Sequence, residues 1–129
     1  MFTAIVRDVT EQLNTESALR SALERDELTG LPNLRSLLER TEQATSFAAQ
    51  RDATVGLLFV DLDRFTLVND SLGHDAGDEL LVAVANRIER AVRDVDTVTR
   101  VSGDHFVVLC ERVESEDALV GLAGRIQDA

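Results

Sequence analysis

The run Val55–Val60, closed by Asp61, Leu62 and Asp63, constrains what this chain can fold into more than any other stretch. VGLLFV is short, apolar and β-branched at both ends, the pattern of a strand buried on both faces rather than of a helix. Carboxylates placed where such a strand stops sit at the rim of a sheet. Alternation along the strand sends Asp61 and Asp63 to the same side, so a hard cation at that rim could take carboxylate oxygens together with the Leu62 carbonyl. A phosphate-bearing ligand suits such a place. Asn69, Asp70, Gly73, His74, Gly77 and Asp78 follow as a polar, turn-prone segment, long enough to wrap a small molecule before the next helix begins.

Around this stretch the apolar periodicity changes from element to element. Leu34, Leu37, Leu38, Thr41, Ala44, Thr45 and Ala48 recur at helical spacing and predict an amphipathic helix to about Gln50, with Asn33 as its cap. Leu80, Leu81, Val84, Ala85, Ile88 and Val92 predict a second, from about Ala76 to Arg93, lying over the sheet. Thr97–Arg100 and Phe106–Cys110 alternate as two strands of an antiparallel hairpin, with Ser102, Gly103, Asp104 and His105 at its tip. Ser115 can cap a last helix, Glu116–Ile126, whose apolar face is Ala118, Leu119, Leu122 and Ile126. Upstream, Asp26–Asn33 is a helix-stopping turn: Gly30 permits positive φ and Pro32 forces extension on Leu31. Residues Glu11–Arg25 are good helix formers with an incomplete apolar stripe, too irregular for a sustained coiled coil. The order of elements predicts an α+β fold, a mostly antiparallel central sheet covered by helices.

Composition narrows the function classes. The net charge of −11 argues against DNA, RNA or an anionic membrane as partner, because those surfaces call for a basic face. Cation-bound phosphates stay compatible with it. Cys110 is the only cysteine and lies in an apolar run, so no internal disulfide is available and a buried structural thiol is expected. No apolar run approaches the ~20 residues of a bilayer span and no signal-peptide pattern opens the chain, which reads as cytosolic.

Taken together, DELTGLPN at Asp26–Asn33, DLDRF at Asp61–Phe65, ND at Asn69–Asp70, GHDAGD at Gly73–Asp78 and RVSGDHF at Arg100–Phe106 resemble the GGDEF domain of diguanylate cyclases in order and spacing. That family joins two GTP molecules into cyclic di-GMP, and similar domains that have lost activity serve as nucleotide-sensing regulators. The resemblance implies a nucleotide-cyclase-like fold over residues 26–129, incomplete at its C-terminus. It also implies a signalling helix at residues 11–25. FTAIVRDVTEQ resembles the closing strand and exit of a PAS-type sensor domain, which assigns residues 1–10 to the end of an upstream sensor.

Site roles follow from the same resemblance. Asp61 and the Leu62 carbonyl are implied to bind Mg2+ or Mn2+; Asp104 is implied to be a further metal ligand and the base for the 3′-hydroxyl. Asn69, His74 and Asp78 are implied to hold the nucleotide. Arg93 and Asp96, spaced RxxD, match an inhibitory product-binding site, where Arg can fork onto phosphate or guanine. Each residue also has an ordinary reading, as a solvated turn acid, a turn former or a surface ion pair.

Two places depart from the family pattern. Its glycine–glycine–acid–glutamate–phenylalanine turn is Ser102, Gly103, Asp104, His105 and Phe106 here, and Thr66 stands where the family has a phosphate-facing lysine. Ser102 adds a side chain where backbone would approach the nucleotide, and His105 cannot supply a fixed negative charge. The sequence therefore predicts a weak or inactive cyclase that binds GTP or cyclic di-GMP, used as a homodimer. An active cyclase tolerating the altered turn, or a dimerising relay without nucleotide, are the alternatives.

Overall fold

A computed structural model describes Leu19 and residues 23–128 of the chain. The sensor-domain expectation and most of the helix expected at residues 11–25 lie outside the described residues. Within them, helix α1 (Leu34–Gln50) leads into strand β1 (Thr54–Asp61), helices α2 (Phe65–Leu72) and α3 (His74–Ala91), strands β2 (Thr97–Ser102) and β3 (His105–Val113), and helix α4 (Glu116–Asp128). The strands form one antiparallel sheet in the order β1-β3-β2. The α+β architecture expected from the sequence is thus observed.

Each face of the sheet has its own helical cover. Phe106, Val108 and Cys110 of β3 point with Leu58, Val60 and Val98 toward α3 and α4, where Leu81, Ala85, Ile88, Leu122 and Ile126 meet them. Val107 and Leu109 point the other way, with Val55 and Val101, onto Leu37 and Ala44 of α1. Full burial of a side chain the size of Leu81 or Phe106 stabilises by about 1.5–3 kcal/mol. Gly56 lets α4 come close, since a Cβ there would stand 2.9 Å from Leu119 Cδ2. The expected caps form: the Asn33 side chain accepts from the Ser36 amide, and the Ser115 hydroxyl accepts from the Ala118 amide at 3.1 Å.

Four expectations need correction. Among the described residues the strand buried on both faces is β3, not β1: β3 is paired along both edges, whereas β1 pairs with β3 alone. Phe106–Cys110 accordingly does not alternate in burial, whereas Phe59 of β1 is 77% exposed. Second, the segment expected to be turn-like contains α2; Phe65 at its start packs against the core, and Gly73 at φ 91° ends it. Third, α3 begins at His74 and stops at Ala91 rather than running from Ala76 to Arg93. Fourth, Leu34 and Leu38 face solvent, so Leu37, Ala44 and Ala48 alone make the buried stripe of α1. No helix among the described residues is long and apolar enough to cross a membrane.

Candidate functional site

Sheet register builds the first half of the site. Asp61, the last residue of β1, pairs with His105, the first of β3, and Asp104 is the turn residue just before it. The sequence left open whether the hairpin tip and the strand-end acid are neighbours; the β1–β3 ladder makes them so. Asp63 does not share Asp61's side by strand alternation, since β1 stops at Asp61 and Asp63 lies in the following turn. Asp61, Leu62 and Asp63 edge a groove of about 540 Å3 that also touches Val60, Val84 and Arg87.

His105 lies against these acids. Its Nδ1 contacts Asp61 Oδ1, and its Nε2 stands 3.6 Å from Asp104 Oδ1. The hydrogen bond to Asp61 and the negative charges of Asp61 and Asp104 hold the imidazole's pKa above the ordinary histidine range. His105 thus sets a hydrogen-bonding imidazole, a group with no negative charge, at the position where the family pattern has glutamate.

The hairpin tip is also tied from the opposite side. Arg100 donates from Nε to the Gly103 carbonyl at 3.0 Å and from Nη1 to Asp26 Oδ1 at 3.0 Å, while its backbone amide donates to the Pro32 carbonyl at 3.2 Å. Asp26 in turn accepts from the Thr29 amide and hydroxyl at 2.8 and 2.7 Å. Burial pushes the Asp26 carboxyl pKa up, but the Thr29 and Arg100 hydrogen bonds outweigh it and the net shift is downward. The DELTGLPN turn is thus a clamp on the turn that carries Asp104. Sequence reasoning took the turn as structural but missed Arg100; an isolated cation in an otherwise uncharged strand was the available signal.

Asn69, His74 and Asp78 gather elsewhere, at the corner between α2 and α3. His74 and Asp78 are four residues apart and exposed on one helix face. Asn69 lies on α2, and its side chain rests on Gly77, the residue before Asp78, where a Cβ would overlap its Oδ1. The groove beside Asp61 includes none of these three residues. Thr66 is exposed on the first turn of α2.

Arg93 and Asp96 are engaged with one another. The guanidinium forks onto Asp96, Nε to Oδ2 at 3.0 Å and Nη2 to Oδ1 at 2.7 Å, and Nη2 also donates to the Glu111 carbonyl at 3.0 Å. Asp96 Oδ2 additionally accepts from the Arg93 amide at 2.9 Å. The hydrogen bond to Asp96 raises the Arg93 pKa further. The Asp96 side chain is fully buried, so only the Arg93 side of the pair meets solvent. Cys110 is buried as expected; burial, then the Asp96 charge, push its thiol up to about 11 against the pull of Arg93.

Asp61, Asp104 and the Leu62 carbonyl are oxygen donors of the kind Mg2+ accepts when waters and substrate phosphates complete its shell. Among the described residues no group of three or more His, Cys, Asp and Glu side chains is arranged to hold a metal by itself. Asp61 is already engaged by the His105 ring.

Comparison with known proteins gives a consistent result. Residues 23–129 match the family described as diguanylate cyclase, GGDEF domain. The bifunctional diguanylate cyclase/cyclic di-GMP phosphodiesterase MucR of Pseudomonas aeruginosa is 50% identical over 93 residues, 72% of this chain but only 14% of MucR. Diguanylate cyclase DgcM of Escherichia coli is 41% identical over 117 residues, 89% of this chain and 28% of DgcM. This chain thus spans well under a third of either relative. Among solved structures, the coiled coil and GGDEF domain of DgcB from Caulobacter crescentus, in complex with c-di-GMP, superposes with a TM-score of 0.82 at 27% identity, covering 96% of this chain and 63% of that one.

Proposed function

This chain belongs to the diguanylate cyclase GGDEF domain family, and on that premise we propose that it is a cytoplasmic cyclic di-GMP signalling domain that binds GTP or cyclic di-GMP but turns over little GTP. One observation carries the reading: the imidazole of His105 contacts Asp61 and lies beside Asp104, the two carboxylates a metal would need. An imidazole there competes with Mg2+ or Mn2+ for the same oxygens and adds no negative ligand charge of its own. Thr66 leaves the α2 side without a cation for developing phosphate charge.

In this reading Asp61, the Leu62 carbonyl and Asp104 hold the divalent cation. Asn69, His74 and Asp78 orient the nucleotide, Asp accepting from guanine N–H groups and Asn both donating and accepting. Asp104 takes the proton of the 3′-hydroxyl as its oxygen bonds to the α-phosphorus of the other GTP and pyrophosphate leaves. A bound divalent cation would neutralise phosphate charge and polarise the phosphorus centre. Two nucleotide-loaded domains must meet for the ring to close, so the working unit is a homodimer, driven by a sensor upstream. Arg93, the solvent-facing half of the RxxD pair, is the group a regulatory cyclic di-GMP would meet first.

Titration calorimetry of the full-length protein with GTP and Mg2+, together with chromatography of products, tests this. Binding with little product is expected, and the combined S102G, T66K and H105E changes should raise turnover more than any one alone, because residues of one site are not additive. Absence of GTP and cyclic di-GMP binding would leave only the signal-relay alternative. The second reading, an active cyclase, is favoured by the retained adjacency of Asp61 and the turn carrying Asp104; ready product formation by the wild-type protein that those substitutions do not raise would establish it.

A further inference from the structure

We infer that Gly77 is the positioning residue for Asn69: its missing Cβ is what lets the Asn69 carboxamide lie against the first turns of α3, beside Asp78 and one turn from His74. Three observations meet at this point. Gly77 is buried inside a helix, where glycine has no conformational purpose, and its φ is not in the left-handed region. A Cβ at Gly77 would overlap Asn69 Oδ1 and stand 2.9 Å from Asn69 Cγ, so the space an alanine methyl would fill is already taken by that carboxamide. The Phe65 ring, one turn earlier on α2, lies 3.5 Å from the same point, which leaves Asn69 as the side chain that must give way.

The helices reach this approach through the α2–α3 corner. Asn69 O accepts the Gly73 amide at 3.0 Å, closing α2, and Gly73 O accepts the Gly77 amide at 3.2 Å, opening α3. The Asn69 backbone is therefore fixed to the corner, and a methyl at Gly77 can be met only by moving the Asn69 side chain to another rotamer, which swings its amide by ~120°. The Asn69 carboxamide would then leave its seat on Gly77, the residue next to Asp78. The effect on nucleotide rests on the proposed function; the effect on the Asn69 side chain does not.

A double-mutant cycle between G77A and N69A in the full-length protein separates the two. GTP affinity should fall by about tenfold in G77A, the size of one lost hydrogen bond, and by a similar factor in N69A. In the N69A background G77A should cost no further affinity and should raise Tm, since the methyl now fits and alanine favours the helix. Equal losses from G77A in both backgrounds, an unchanged affinity in G77A alone, or a Tm lowered alike in both would overturn the assignment. If the wild-type protein binds no GTP, the functional reading fails, and NMR of the Asn69 side-chain amide decides the positioning. G77A must shift that signal, and an unshifted one overturns the inference.

Discussion

Asp26→Ala should be among the more damaging changes outside the hydrophobic core, although Asp26 sits in a turn. Its carboxylate accepts from the Thr29 amide, the Thr29 hydroxyl and Arg100 Nη1, between 2.7 and 3.2 Å. The Arg100 and Asp26 side chains are 16% and 19% exposed, which sets the scale. A fully exposed pair contributes about 0–1 kcal/mol and breaking a fully buried one costs about 3–5 kcal/mol. With these exposures, and two Thr29 bonds lost as well, we expect D26A to cost about 2–3 kcal/mol. D26N, which keeps an acceptor for Thr29, should cost about 1–2 kcal/mol. Urea unfolding with linear extrapolation measures both. A cycle with R100A should return about 1–2 kcal/mol of coupling across 74 residues of chain separation. A D26A penalty below about 0.5 kcal/mol, or no coupling, would refute the clamp, since either result means the turn and the hairpin tip are held independently.

The same carboxylate gives the prediction its pH dependence. The Asp26 pKa is lowered on folding, because its hydrogen bonds outweigh the opposing effect of burial. A depressed carboxyl contributes stability that is present above the unfolded value, near ~3.9, and is lost as pH falls through the folded value. The gap between wild type and D26N should therefore be constant at neutral pH and shrink below about pH 4. A gap that widens on acidification would mean the folded carboxyl binds its proton more tightly than the unfolded one.

Thr99 is fully buried and its Oγ1 has no hydrogen-bond partner among the described residues, so T99V should stabilise by about 1 kcal/mol in thermal unfolding. Gly121 and Gly124 lie inside α4 with open space where a Cβ would go; G121A and G124A should each stabilise by about 0.5–1 kcal/mol, read by the same assay. Cys110, with a thiol pKa of about 11 and no exposure, should resist a thiol-directed reagent at pH 8 in the native protein and react promptly once unfolded.

Much of this fold could be read from local signals because those signals have local causes. Asn33 and Ser115 cap helices because short polar side chains at those positions reach the amides three residues on. Gly30 takes φ 75°, the conformation its turn required. Sheet order was not legible. Val55–Val60 and Phe106–Cys110 are equally apolar, and periodicity cannot say which one has neighbours on both edges; the β1-β3-β2 order does, leaving Phe59 exposed and Phe106 buried. Helix α2 was hidden because Asn69, Asp70 and Ser71 are turn formers, while what makes the segment helical is the packing of Phe65 on a core built from distant residues. Of the candidate site, the residue types were visible but not their pairings. The Asp61–His105 contact depends on strand register, and Asn69 on Gly77 depends on how α2 and α3 meet.

Those pairings change what the altered signature turn means. Read as sequence, His105 is a loss, one acid fewer in a site that wants acids. In the structure it is also a gain, because it gives Asp61 a hydrogen-bond partner and lies beside Asp104 at the end of a sheet in a chain of net charge −11. The hairpin tip is then held twice, by Arg100 through Gly103 and Asp26 on one side and by His105 through Asp61 on the other. A glutamate in place of His105 would leave Asp61, Asp104 and a third carboxylate close together, an arrangement relieved by a cation between them or by uptake of a proton. The histidine domain needs no such cation to settle its tip. The Asp61–His105 contact at the end of the β1–β3 ladder is thus one that a metal on Asp61 would have to break.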